Sequence, residues 1–102
     1  KVKINNPIQD YYINGKSLQN SPSFTSKTSE GLESLFEITA GTGTDDWYVA
    51  SISSSNSNIT ASITNDYNVK TVCSSDEGAT ATISLTIKFR NRSGEKRYTF
   101  TM

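Results

Sequence analysis

The chain has no histidine, one cysteine, two prolines and one tryptophan in 102 residues, and its formal charge is zero. Each shortage removes a class of chemistry. Without histidine there is no Ser-His-Asp or Cys-His nucleophile pair and no imidazole-bound metal. Cys73 stands alone, so the chain builds no internal disulfide, thiolate cluster or CxxC redox pair, and the redox compartment cannot be read from it. Ten basic residues balance ten acidic ones, whereas a general binder of nucleic acid or anionic membrane needs a clear basic excess. No apolar run approaches spanning length, so neither a transmembrane helix nor direct membrane insertion is expected. Gly41-Thr42-Gly43 lacks the rest of a nucleotide-binding fingerprint and any following helix. Paired carboxylates serve glycoside hydrolysis, but a domain this thin rarely offers a cleft deep enough to raise one carboxyl pKa. The expectation is a non-enzymatic chain without a cofactor.

What is present is alternation. Hydrophobic residues make up 33% of the chain, and serine plus threonine exceed a quarter of it. Low hydrophobicity without net charge is not the signature of disorder, and the apolar residues recur with period two. From Ala79 to Phe89 the odd positions read Ala79, Ala81, Ile83, Leu85, Ile87, Phe89 and the even ones Thr80, Thr82, Ser84, Thr86, Lys88. Successive side chains of a strand face opposite ways, so this is a strand with one buried and one wet face. After Asn91-Arg92-Ser93-Gly94 the alternation resumes with Tyr98, Phe100 and Met102 inward, which makes a hairpin.

The rest of the chain reads as further short strands. Val2 and Ile4 alternate weakly before an Asn6-Pro7 turn; Tyr11-Tyr12-Ile13 and Lys16-Ser17-Leu18 flank Asn14-Gly15, the strongest short hairpin signal. Gln19–Ser29, with Pro22 and the single anchor Phe24, reads as a loop or short edge strand. Leu35–Ala40 is expected to be a strand, with Glu30–Ser34 undecided between that strand and a helical turn. Trp47–Ser53 offers two registers, one burying Trp47, Val49 and Ser51, the other Tyr48, Ala50 and Ile52. Ser53–Asn58 is a turn, Ile59–Ile63 and Val69–Cys73 are strands, and Asn65-Asp66 separates them. About seven or eight strands at sandwich spacing, without a convincing helix, predict one all-β domain spanning residues 1–102. An antiparallel immunoglobulin-like β-sandwich packs so many half-wet strands most economically; a small β-barrel is the alternative.

The order of features over Leu35–Met102 carries a resemblance. Trp47 follows a Gly/Thr/Asp loop, a Ser/Asn-rich loop and two alternating strands come next, and a final hairpin ends in Tyr98-Thr99-Phe100-Thr101. This resembles the immunoglobulin-like accessory domains of Bacteroidetes secreted and surface proteins, including the BACON type. Met102 stands where those domains commonly place glutamine, and the first third has no counterpart. The resemblance implies a non-catalytic bacterial module on glycan-handling or surface-anchored proteins, and it transfers no functional residue. The chain begins at Lys1 rather than methionine, so a signal peptide is expected to have been removed already. With its Ser/Thr/Asn/Gly-rich composition, this points to an extracellular, periplasmic or cell-surface location.

Four constellations merit weighing, each against a plainer reading. Asp45, Asp46, Asp76 and Glu77 lie in two loops that could jointly hold Ca²⁺, but no spaced calcium loop is present and acidic turn residues are ordinarily solvated. The aromatic group Tyr11, Tyr12, Trp47, Tyr48 and Tyr67 could stack on sugar rings, with Tyr12, Trp47 and Tyr48 beside Asp46 as the binding candidates, against the reading that Trp47 anchors the core and Tyr12 and Tyr48 are the better placed for exposure. Lys88, Arg90, Arg92, Lys96 and Arg97 form a basic cluster that could meet an acidic partner, while charges at a hairpin end equally serve to deter edge-to-edge aggregation. Two glycosylation sequons, Asn58-Ile59-Thr60 and Asn91-Arg92-Ser93, are expected by chance in such a composition. The functional expectation is a spacer, adhesion or interaction module whose partners are neighbouring domains or surface proteins. Glycan binding and pilus-like assembly are the alternatives.

Overall fold

Alternation becomes structure most directly in the last hairpin. The computed structural model describes residues 10–24, 33–41, 43, 46–74 and 80–102. Within them run β1 (Tyr11–Ile13), β2 (Lys16–Ser17), β3 (Glu33–Ala40), β4 (Trp47–Ser54), β5 (Ile59–Asn65), β6 (Asn68–Cys73), β7 (Thr82–Phe89) and β8 (Glu95–Thr101). In β7 every odd residue from Ile83 to Phe89 is buried, as predicted, and Phe100 and Met102 join them in the interior. Tyr98 is only half-buried. The expectations for Val2–Ile4, Asn6-Pro7, Glu30–Leu32, Asp45, Asp76, Glu77 and Ala79 lie outside the described residues.

The first hairpin also forms where Asn14-Gly15 predicts it. Both residues take positive φ, +48° and +85°, and Ile13 pairs with Lys16 across the two-residue turn. Backbone twist of that hand matches the twist of the flanking strands. A 3₁₀ turn over Leu18–Asn20 comes next, capped by the Ser17 hydroxyl accepting the Gln19 N–H at 3.3 Å. Leu18 is thereby buried instead of extending β2.

β4 settles the choice between its two registers by using both. Trp47 pairs with Phe89 and Val49 with Ile87; then the ladder shifts, and Ser51 pairs with Thr86 and Ile52 with Leu85. Ala50 is the extra residue of a β-bulge, so odd positions face the core before it and even positions after it. Val49 is buried and Ile52 half-buried as a result.

All strand pairs are antiparallel and form two sheets, ordered β2-β1-β3-β6-β5 and β4-β7-β8. With the β1–β2 hairpin in first position, this is the A-B-E-D and C-F-G order of a constant-type immunoglobulin sandwich. The segment after the 3₁₀ turn crosses between sheets, and Ser23 bridges Thr101 in parallel. The core between the sheets holds Phe36, Ile38, Val69, Ile83, Leu85 and Ile87. One end is filled by Phe24, Phe36 and Phe100 with ring centroids 5.0–5.8 Å apart, the tilted and edge-on spacing that aromatic pairs prefer. No disulfide joins the sheets there; packing of large rings takes its place.

Candidate functional site

At the opposite end, three connections converge: those between β3 and β4, β5 and β6, and β7 and β8. Arg90 ties them together. Its guanidinium donates to Asp66 Oδ2 at 2.6 Å and to Asp46 Oδ1 at 3.2 Å, and it stacks over the Tyr48 ring at 4.6 Å. The main chain repeats the tie: the Arg90 N–H donates to the Asp46 carbonyl and the Val49 N–H to the Asp66 carbonyl, both at 2.8 Å. The Asn91 side-chain oxygen accepts the Asp46 N–H at 3.0 Å. The hydrogen bond that the guanidinium donates to the Tyr67 hydroxyl is the largest influence raising the Arg90 pKa above its ordinary value, opposed by desolvation and aided by Asp66 and Asp46. The guanidinium is a permanent charge holding two carboxylates in place.

Of the four carboxylates in the calcium reading, Asp46 alone is among the described residues. Its carboxylate is taken by Arg90, which also pairs with Asp66. Among the described residues no group of three or more Asp, Glu, Cys or His could hold a metal ion. Asp45, Asp76 and Glu77 are not among them.

Beside this tie runs a groove of about 480 Å³, walled by Glu37, Ala40, Gly41, Asp46, Trp47 and Tyr67. Trp47 stands edge-on to Tyr67 at 4.9 Å and to Tyr11 at 5.2 Å. It is half-buried, joining the core on one side and the groove on the other, so the choice between core anchor and exposed platform is a false one. Tyr67 is 41% exposed and is the most open aromatic among the described residues. Tyr48 and Tyr12, expected to be the exposed rings, are half-buried instead. Tyr48 lies beneath Arg90, and Tyr12 pairs with Thr39 on the outer face of the larger sheet, close to Gly41.

The structure thus gathers Asp46, Trp47, Tyr48 and Arg90 into one place and scatters the remainder of the basic cluster. Lys88 faces Tyr48 on one side and Glu95 on the other along the outer face of the smaller sheet. Arg92 stacks on Phe89 at 3.8 Å, and Arg97 pairs with Glu95 at 2.7 Å. Lys96 and Arg97, adjacent in a strand, point to opposite faces. Asp66 and Asn91 enter the site unheralded. In the sequence they are a turn residue and a sequon asparagine, and only the meeting of three loops gives them partners. A second groove, of about 620 Å³, runs beside the 3₁₀ turn along Thr86, Tyr98 and Thr99; it brings together no comparable set of charged and aromatic groups.

The fold and this loop end define a two-sheet, all-β sandwich with a cross-linked tip. No family model matches the chain, and no curated protein or solved structure is similar to it at a significant level.

Proposed function

We propose that the domain is a non-catalytic module of a bacterial secreted or surface protein, acting by contact as an adhesion, interaction or spacer unit. The observation that supports this reading is the tied loop end. A surface held by two carboxylate–guanidinium contacts and three main-chain or amide hydrogen bonds does not need ordering when a partner arrives. The three converging connections also include those that carry binding loops in variable immunoglobulin domains, an analogy of position only. The BACON-type likeness supports the same class at the level of pattern. An antibody raised against the folded domain tests the location. Staining of intact source cells, or recovery of the domain from the culture supernatant, is the expected result; signal only after lysis refutes it.

The groove favours a second reading within the same class, recognition of a glycan. A half-buried tryptophan and an open tyrosine offer ring surface for a sugar face, and the flanking Asp46 and Glu37 carboxylates can accept hydroxyl hydrogens. Soluble polysaccharides titrated against Trp47 fluorescence decide it. Saturable quenching abolished by Tyr67→Ala supports the reading, and a flat response across neutral and acidic glycans removes it.

A further inference from the structure

A sandwich of two open sheets has four edges, and the register of each ladder determines which main-chain groups look outward, because alternate residues point to opposite sides. In β8, Ala81 and Met102 exchange hydrogen bonds of 3.4 and 2.9 Å, which turns the groups of Glu95, Arg97, Thr99 and Thr101 outward. Thr101 is already occupied: it donates to the Pro22 carbonyl at 3.0 Å and accepts from Phe24 at 2.8 Å. The free stretch of β8 carries Glu95, Lys96 and Arg97, the kind of charge that deters pairing. In β4, the outward Val49 N–H is taken by the Asp66 carbonyl, and the bulge at Ala50 twists the strand beyond it. The edge at β2 is two residues long.

β5 is the least protected of the four: it is a seven-residue strand whose register irregularity falls at its far end, between Ile63 and Asn65. The Ser74 N–H donates to the Asn58 carbonyl at 2.8 Å, which assigns Thr60 and Ser62 to the bonds with β6. The N–H and C=O groups of Ala61 and Ile63 therefore face the open side, while the Ile59 N–H turns back to Asn56 at 3.0 Å. Ile59–Asn65 contains neither charge nor proline. Ala61 and Ile63 are half-buried at the margin of the core. Among the described residues no strand or loop pairs with this edge.

We propose that β5 is a self-association edge, pairing antiparallel with β5 of a second copy about a two-fold axis at Ser62. The segment matches its own reversal. Ala61 meets the partner's Ile63, and these are the residues whose main-chain groups face outward, so the two symmetric pairs form about four hydrogen bonds. Two small serines meet on the axis, where side chains come closest. Apolar residue faces apolar residue, hydroxyl faces hydroxyl, and no like charges are opposed. A foreign strand has no such built-in match, which is why the occupant is a second copy. The two larger sheets would become one continuous sheet. So small an interface lies below the roughly 1,000 Å² of a stable complex, so the association is weak, with a Kd on the order of 100 μM.

Sedimentation velocity from about 10 μM to 1 mM tests this, with monomer at the low end and dimer predominating at the high end as the expected result. Ala61→Pro removes an outward N–H that makes no bond among the described residues, and Ser62→Lys sets two ammonium groups against each other on the axis. Both are expected to remain monomeric at the highest concentration, at least tenfold weaker in association, with an unchanged circular dichroism spectrum. If Ala61→Pro does not fold, Ser62→Lys decides. A wild-type chain that stays monomeric throughout, or a Ser62→Lys variant that dimerises as well as wild type, overturns the proposal.

Discussion

Leu85→Ala is the most discriminating perturbation of the fold, because it has a matched control in the same chain. Leu85 is 1% exposed at the centre of β7, with Ile52 on one side and Tyr98 on the other, and Leu35 on β3 is 68% exposed. Truncating a buried leucine to alanine removes three carbons, which at about 0.8 kcal/mol each is about 2.4 kcal/mol of lost transfer energy. Both ladder neighbours sit on strands paired with β7, so the void closes incompletely. A residual cavity of about 40 Å³ adds roughly 1 kcal/mol at about 24 cal/mol per Å³. The expected loss is therefore about 3.4 kcal/mol, a large share of the roughly 5–15 kcal/mol that stabilises a domain. Leu35→Ala removes the same atoms from water-exposed positions and is expected to change stability by less than about 0.5 kcal/mol. Urea unfolding followed by fluorescence of the single tryptophan, which packs between Tyr11 and Tyr67, measures both variants. A Leu85→Ala loss below about 1 kcal/mol with unchanged m, or equal losses for the two leucines, would refute the assigned faces.

Three further outcomes are expected. Gly15→Ala lowers stability by about 1 kcal/mol through backbone strain alone, since φ is +85° and nothing lies within 4 Å of the added methyl; thermal unfolding detects it. Arg90→Met lowers the melting temperature by less than Leu85→Ala does, and the difference from wild type shrinks in about 1 M NaCl, where the screening length is near 3 Å. Burial, with Asp10 assisting, raises the Tyr98 pKa above its ordinary value of 10.0, so the unfolded chain ionises first. The contribution of Tyr98 is intact below about pH 10 and falls as pH rises through that range. Urea titrations at alkaline pH are expected to show a shallower decline for Tyr98→Phe than for wild type.

Legibility in the sequence tracks the range of the interactions involved. The last hairpin could be read residue by residue, because period-two alternation is a local property and burial only ratifies it. The Asn14-Gly15 turn was legible for the same reason: positive φ at two successive positions is a demand that few residue pairs meet. β4 was not, because both its registers are chemically acceptable and only the ladder with β7 places a bulge at Ala50. At the candidate site, the sequence pointed to Asp46, Trp47 and Tyr48 because they are adjacent. It could not single out Arg90 from its basic neighbours, nor name Asp66, since the two are 24 residues apart and meet only when the loops do.

Residue order alone established the class of fold, the two hairpin turns and the buried face of β7 and β8, and through the missing histidine it excluded whole families of chemistry. Those properties depend on residue type and on neighbours within a few positions. Folding in three dimensions assigned which charges become partners and which aromatic ring is left open. Those depend on contacts between distant segments, where the closing of the sheets, rather than any local preference, gives each group its neighbour.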